Sequence, residues 1–134
     1  MSEEEYQAWL DAAARDLEAA RTLAEAGNCS LAVFHYQQAA EKRIKALCAL
    51  SGRPALTRSI VDLLLKLRSL DTDVPEPVVR AARRLDAHHV QSRYPTGLGV
   101  APEKLYDEVI CREAEGWAME IVRFAESFRS TGPE

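Results

Sequence analysis

The chain has 134 residues, 47% of them hydrophobic and 28% charged, and carries a formal net charge of −4. That length supplies one domain with a sizeable core, expected to span residues 1–134. The composition excludes wholesale disorder, and the acidic balance excludes a protein that coats nucleic acid over its whole surface.

Projection at about 100° per residue predicts five helical segments and no strand, because no segment alternates with period two. The first runs from about Glu3 to Ala26, with Tyr6, Leu10, Ala13, Leu17, Ala20 and Ala24 on one stripe. Ser2 is its expected cap, Glu5 completes a capping box, and Gly27 ends it. The second begins at the cap Asn28 and runs to about Ser51, closed by Gly52. Its main stripe is Val33, Tyr36, Ala40, Ile44 and Leu47, and its opposite face carries Leu31, Phe34, Ala39, Ala46 and Ala49. A helix apolar on two sides is expected to lie centrally or to touch a partner as well as its own bundle.

The third segment, about Arg58 to Leu70, carries Ile60, Leu63, Leu64 and Leu67, with Thr57 as its expected cap. DTDVPEP turns the chain. The fourth segment runs from about Pro77 to Tyr94 and is stopped by Pro95, since the residue before proline disfavours the helical region. TGLGVAP is a loop, and the fifth segment runs from about Glu103 to Ser130 with Ile110, Ala114, Trp117, Ile121, Ala125 and Phe128 inward. The fold class is therefore all-α, an antiparallel up-and-down bundle of about five helices.

The longest apolar runs, such as IVDLLLKL, are far short of the roughly 20 residues that a membrane span needs. The acidic start MSEEEYQAW has no signal-peptide order, so no membrane association and a cytoplasmic location are expected. Cys29, Cys48 and Cys111 form no C-x-x-C pair and are expected to be reduced thiols. No metal-ligand spacing, phosphate loop or nucleophile–base pair occurs, so neither a metal nor a cofactor is expected.

Chemistry concentrates in RRLDAHHVQSRYP, Arg83 to Pro95. The stretch from Glu76 to Pro95 carries +2 in an acidic chain, through Arg80, Arg83, Arg84 and Arg93 against Glu76 and Asp86. Arg80, Arg84 and His88 recur at intervals of four, opposite Val78, Ala82 and Leu85, and are expected to face water. His89 falls within the apolar stripe, with Asp86 and Arg93 near its edge, as an inward polar cluster. Tyr94 stands at the stop, before Pro95. Guanidinium groups hold phosphate oxygens two at a time, and an imidazole can move a proton at a ribose hydroxyl or leaving oxygen. Positions five apart on one helix point about 140° away from each other. An Arg83–His88 or Arg84–His89 pair would therefore act together only in an irregular helix or across a dimer groove. His35 shares a face with Gln38, Lys42 and Lys45 and reads as a solvated or dimer-facing edge, and Trp9 and Trp117 as core or interface aromatics.

AVFHYQQAAEKRIKAL (Ala32 to Leu47), followed about forty residues later by LDAHHVQSRYP (Leu85 to Pro95), resembles the HEPN (higher eukaryotes and prokaryotes nucleotide-binding) domain family. The opening AARDLEAARTL and the long last helix extend the resemblance over nearly the whole chain. The resemblance implies a dimerising helical bundle of the nucleotidyltransferase substrate-binding-subunit type, and a minimal nucleotidyltransferase as partner in a toxin–antitoxin-like pair. It also implies two roles for the patch. As a binding subunit, the chain would hold a nucleotide or phosphate through Arg80, Arg83, Arg84, Asp86, His88, His89, Arg93 and Tyr94. As a metal-independent RNA endonuclease, it would use Arg83 or Arg84 with His88 or His89, and the pairs Arg83–His88, Arg84–His89 and Arg83–His89 have the spacing of the family's arginine–histidine motif. A third reading from the residues alone is a helical dimer or adaptor whose basic helix is merely solvated.

Overall fold

The computed structural model describes residues 3–50, 52, 57–69, 72–92 and 101–131, with the side chains of all but residues 90, 91, 103 and 128–131. Among them lie five α-helices: α1 (Glu3–Glu25), α2 (Cys29–Leu50), α3 (Ile60–Arg68), α4 (Glu76–Gln91) and α5 (Glu108–Thr131). A short 3-10 turn at Pro102–Lys104 precedes α5, and no strand occurs among the described residues. The expected cap Ser2, the stop at Pro95, and Arg93 and Tyr94 lie outside the described residues.

The turn from α1 to α2 depends on Gly27, whose φ of 81° places it in the left-handed region. Its N–H donates to Ala24 O at 3.0 Å, and the N–H of Asn28 donates to Leu23 O at 2.8 Å. This double closure ends α1 within two residues and folds α2 back along it. α2 then runs through the middle, packed against α1, α3, α4 and α5. It buries both of its apolar faces, Val33, Tyr36, Ala40, Ile44 and Leu47 on one and Ala39, Ala46 and Ala49 on the other. Leu31, on the second face, is exposed.

The start of α3 departs from expectation. Thr57 does not cap it; its Oγ1 accepts the N–H of Ser59 at 3.0 Å and donates to Asp62 Oδ2 at 3.3 Å. Ser59 is the cap, accepting the N–H of Asp62 at 3.1 Å, so the helix begins two residues later than predicted. A second acceptor comes from α4. Asp86 receives the N–H of Ile60 on Oδ1 at 2.9 Å, and the N–H of Val61 and hydroxyl of Ser59 on Oδ2, each at 3.0 Å. One carboxylate thus serves donors at the positive end of a helix dipole, and it joins α3 to α4. Around that joint α3 buries Ile60, Leu63, Leu64 and Leu67, while α4 buries Val78, Val79, Ala81, Ala82 and Leu85.

α5 also begins later than expected. Pro102–Lys104 turns as 3-10, and Asp107 then starts the helix by accepting the N–H of Ile110 on Oδ1 at 3.0 Å. Ala114, Ala118, Ile121 and Ala125 are fully buried along its inner face.

Replacing Asp86 by alanine leaves helix-end donors unpaired, and is expected to lower stability by about 2–3 kcal/mol. Urea unfolding should show a lower midpoint with an unchanged slope. Thr57→Ala, which disturbs only the approach to the cap, should cost under about 1 kcal/mol.

Candidate functional site

With its roll fixed by Asp86, α4 distributes its remaining polar side chains among its neighbours. His88 turns towards α5 and the loop before it. Its Nδ1 lies 2.7 Å from the hydroxyl of Tyr106, and its ring stacks on Trp117 with planes 9° apart and centroids at 6.1 Å. Burial pushes the His88 pKa below its ordinary value, with Glu113 pulling the other way. Burial likewise pushes the Tyr106 phenol up to about 12. At neutral pH the pair is an uncharged imidazole and an intact phenol.

The expected water-facing edge of Arg80, Arg84 and His88 is therefore only partly such an edge. Arg80 and Arg84 are exposed, but His88 is half-buried because Trp117 of α5 covers that end of the row. The Arg84 guanidinium sits 5.9 Å from the Trp117 ring centre. Arg80 and Arg84 form one wall of a groove of about 470 Å³, and Glu113, Trp117 and Glu120 form the other. Its charges balance, two arginines against two carboxylates, over an indole.

His89 points to α2 instead. Its Nδ1 lies 3.2 Å from Gln37 Oε1, and its ring is 6.1 Å from that of Phe34. A row of polar side chains, all but Lys45 fully or almost fully buried, continues along α2: Gln37 Nε2 donates to Glu41 Oε1 at 3.3 Å, and Lys45 Nζ meets Glu41 Oε2 at 2.8 Å. Lys45 in turn lies over the ring of Trp9 at 5.4 Å. The Glu41 carboxylate accepts from the Gln37 NH₂, and Gln37 Oε1, which also accepts from Gln38 Nε2 at 2.7 Å, faces His89 Nδ1, so that contact is a donation from Nδ1–H.

Asp86 and His89, expected in one inward cluster, go to different helices. Arg83 is exposed and lies 3.5 Å from Glu76, away from the groove wall made by Arg80 and Arg84. His35 and Lys42 are partly buried edge residues held by one carboxylate: His35 Nδ1 lies 2.9 Å from Asp16 Oδ1, and Lys42 Nζ 2.6 Å from Asp16 Oδ2. Tyr106, Trp117, Gln37 and Glu41 join the site without having been expected there from sequence. Gln37, Glu41 and Lys45 recur at intervals of four within a helix otherwise apolar on that side, which is the signal for a buried polar row. Tyr106 follows an irregular turn, and nothing in its neighbours along the chain points to His88. Among the described residues, no helix is long and apolar enough to cross a membrane, and no group of three or more metal-ligating side chains occurs.

These features define an all-α bundle with an arginine–histidine helix packed over a central helix that carries a buried glutamine–glutamate row. The family model of the HEPN domain matches residues 6–131, and the chain belongs to that family. TT1696 from Thermus thermophilus has a similar crystal structure, with 36% identity, a TM-score of 0.84, and 91% of this chain matched to 96% of that one. ST0689, an archaeal HEPN homologue, is 32% identical with a TM-score of 0.76, over 91% of this chain and 95% of that one. A HEPN domain protein from Thermotoga maritima is 33% identical with a TM-score of 0.76, over 92% of this chain and 98% of that one. Among curated proteins, none matches the chain.

The depressed pKa of His88 has a definite pH signature. The folded state disfavours the imidazolium, so the stability tied to His88 is complete above the ordinary value of 6.5 and declines as pH falls through it towards the folded-state pKa. Proton NMR should place the His88 midpoint below 6.5, and His88→Gln should flatten the slope of stability against pH in that range. A midpoint above 6.5 would contradict the packing described.

Proposed function

We propose that this HEPN protein is a nucleotide- or phosphate-binding subunit, pairing with a minimal nucleotidyltransferase in a toxin–antitoxin-like system and acting as a homodimer in the cytoplasm. The observation that carries this reading is the groove between α4 and α5. Arg80 and Arg84 stand one turn apart on one wall, with Trp117 exposing part of an indole on the other. Arginines suit phosphate oxygens, and the indole suits a base or ribose face. Glu113 and Glu120 oppose a bare polyanion but accept from the amino and hydroxyl groups of a nucleoside. A groove of balanced charge therefore favours a nucleotide over an RNA backbone. In this reading Arg80 and Arg84 hold phosphate, Arg83 extends the positive field, and His88 backs the Trp117 ring against which a base would lie, while Arg93 and Tyr94 lie outside the described residues. Asp86 and His89 act through the packing of α4.

A metal-independent RNA endonuclease is the second reading, and one observation favours it. The bond from His89 Nδ1 to Gln37 orients the ring and leaves Nε2 outside that bond, as the nitrogen that could move a proton. Arg83 or Arg84 of a second copy would then supply the guanidinium in a shared groove, since on one chain the arginines and His89 serve different sides of α4.

Two experiments decide between these readings. A nucleotide panel should raise the melting temperature of the wild type but not of Arg80→Ala/Arg84→Ala, and a nucleotidyltransferase should co-purify. If no nucleotide shifts the melting temperature and no such enzyme co-purifies, the binding-subunit reading falls. Incubation with RNA in EDTA should leave the RNA intact. Cleavage that a His88→Ala/His89→Ala variant abolishes would establish the endonuclease instead.

A further inference from the structure

A second cavity, of about 410 Å³, lies at the opposite end of α4 from Arg80. It is lined by the α1–α2 turn with the first residues of α2, by Ser92 after α4, and by Pro102 and Tyr106 before α5. Two independent features meet there. The first is the start of a helix of 22 residues: the N–H groups of Cys29, Ser30 and Leu31 precede its first closing bond, from Ala32 N–H to Asn28 O at 2.9 Å. Those amides and the aligned peptide dipoles behind them favour an anion.

The second feature is Ser92. Its side chain is wholly buried, and its hydroxyl has no hydrogen-bond partner among the described residues, although its own N–H continues the helix by donating to His88 O at 3.1 Å. A buried hydroxyl without a partner destabilises the folded chain. Residues in such a state call for an occupant that the protein itself does not contribute. Among the described residues none of the lining side chains is a carboxylate, and Ser30 and Ser92 bring hydroxyl groups to it. The volume exceeds what a single water needs and is ample for a tetrahedral oxyanion.

We propose that this cavity is a phosphate subsite, which takes the phosphate of a phosphomonoester on the amides of Cys29, Ser30 and Leu31 and the hydroxyls of Ser30 and Ser92. It is a different site from the α4–α5 groove and does not rest on the reading given to that groove. Among the described residues the two cavities have no lining residue in common, but a chain of three side chains runs from one to the other. Tyr106 lines this one, its hydroxyl holds His88, and His88 stacks on the Trp117 that lines the other.

Inorganic phosphate titrated into the whole chain, at constant ionic strength against chloride, tests the proposal by amide NMR and thermal melting. The amides of Cys29, Ser30 and Leu31 should move saturably, and the melting temperature should rise. An adenosine monophosphate arm distinguishes free phosphate from a nucleotide ester: tighter binding with the same amides moving assigns the ester. Ser92→Ala should act in two opposite directions. Without phosphate it should melt about 3 °C higher, because a buried unpaired hydroxyl is gone. Its phosphate affinity should fall by about tenfold, for loss of one charge-assisted hydrogen bond. Ser30→Ala gives a second reading, and should also weaken phosphate. Phosphate without saturable effect on these amides, a cavity filled by water alone, would overturn the proposal. So would an unchanged affinity in both serine variants. A response lost in Arg84→Ala but kept in Ser92→Ala would place the phosphate in the α4–α5 groove and overturn it as well.

Discussion

The roll of α4 about its own axis is the constraint on which the site depends, and the Asp86 carboxylate sets it. A helix packed by alanine and valine alone can rotate by a fraction of a turn at modest cost, because small apolar side chains offer little angular preference. A carboxylate at the start of another helix offers a great deal. Asp86 meets Ile60 and Val61 through backbone N–H groups that would otherwise lack partners, and Ser59 through its hydroxyl. Rotation by even one residue position, about 100°, would break all of these bonds at once. The same roll sends His88 to Tyr106 and Trp117, and His89 to Gln37. Two adjacent histidines on one helix thereby acquire different environments, one aromatic and uncharged, the other tied to a polar row.

That polar row contributes something other than strength to the interior. A buried ion pair such as Glu41–Lys45 is at best weakly stabilising, because desolvation offsets the attraction. What it does supply is direction. Each donor in the row from Lys45 through Glu41 and Gln37 to His89 faces an acceptor, so reversal of one amide would set like groups against each other. The order of the row on α2 thus orients the amide that a histidine on α4 meets. Trp9 of α1 lies against Lys45 and reduces the access of water to that end.

Much of the bundle is legible in the sequence because its helices bury stripes of period 3.6 between glycine and proline punctuation. Val33, Tyr36, Ala40, Ile44 and Leu47 make one such stripe and are all buried, as are Ile60, Leu63, Leu64 and Leu67. The differences lie at helix starts. Thr57 and Ser59 are both acceptable caps in sequence, and a carboxylate 27 residues further on, Asp86, decides in favour of Ser59. The site is legible as a list of residue types on α4 and not as an arrangement. Periodicity gives the angle of each side chain around its helix axis, but not which neighbour stands at that angle. Arg80, Arg84 and His88 do share a side; that α5 brings Trp117 against the last of them is a tertiary fact. Tyr106 is invisible for the same reason, as its partner lies 18 residues away along the chain.

The alanines of α2 have a consequence for how such a bundle can change over evolutionary time. Ala32, Ala39, Ala40 and Ala46 are buried at 0–1% exposure where neighbouring helices cross the centre. A methyl group leaves nothing to trim, and added methylenes in packing this close cost about 1–3 kcal/mol. The interior is therefore nearly closed to adjustment in either direction. New specificities have to be written at the rims, in the arginines of α4, the aromatic face of α5 and the turns that border the cavities. A single backbone can then keep its centre fixed while its surface is reassigned from one ligand to another.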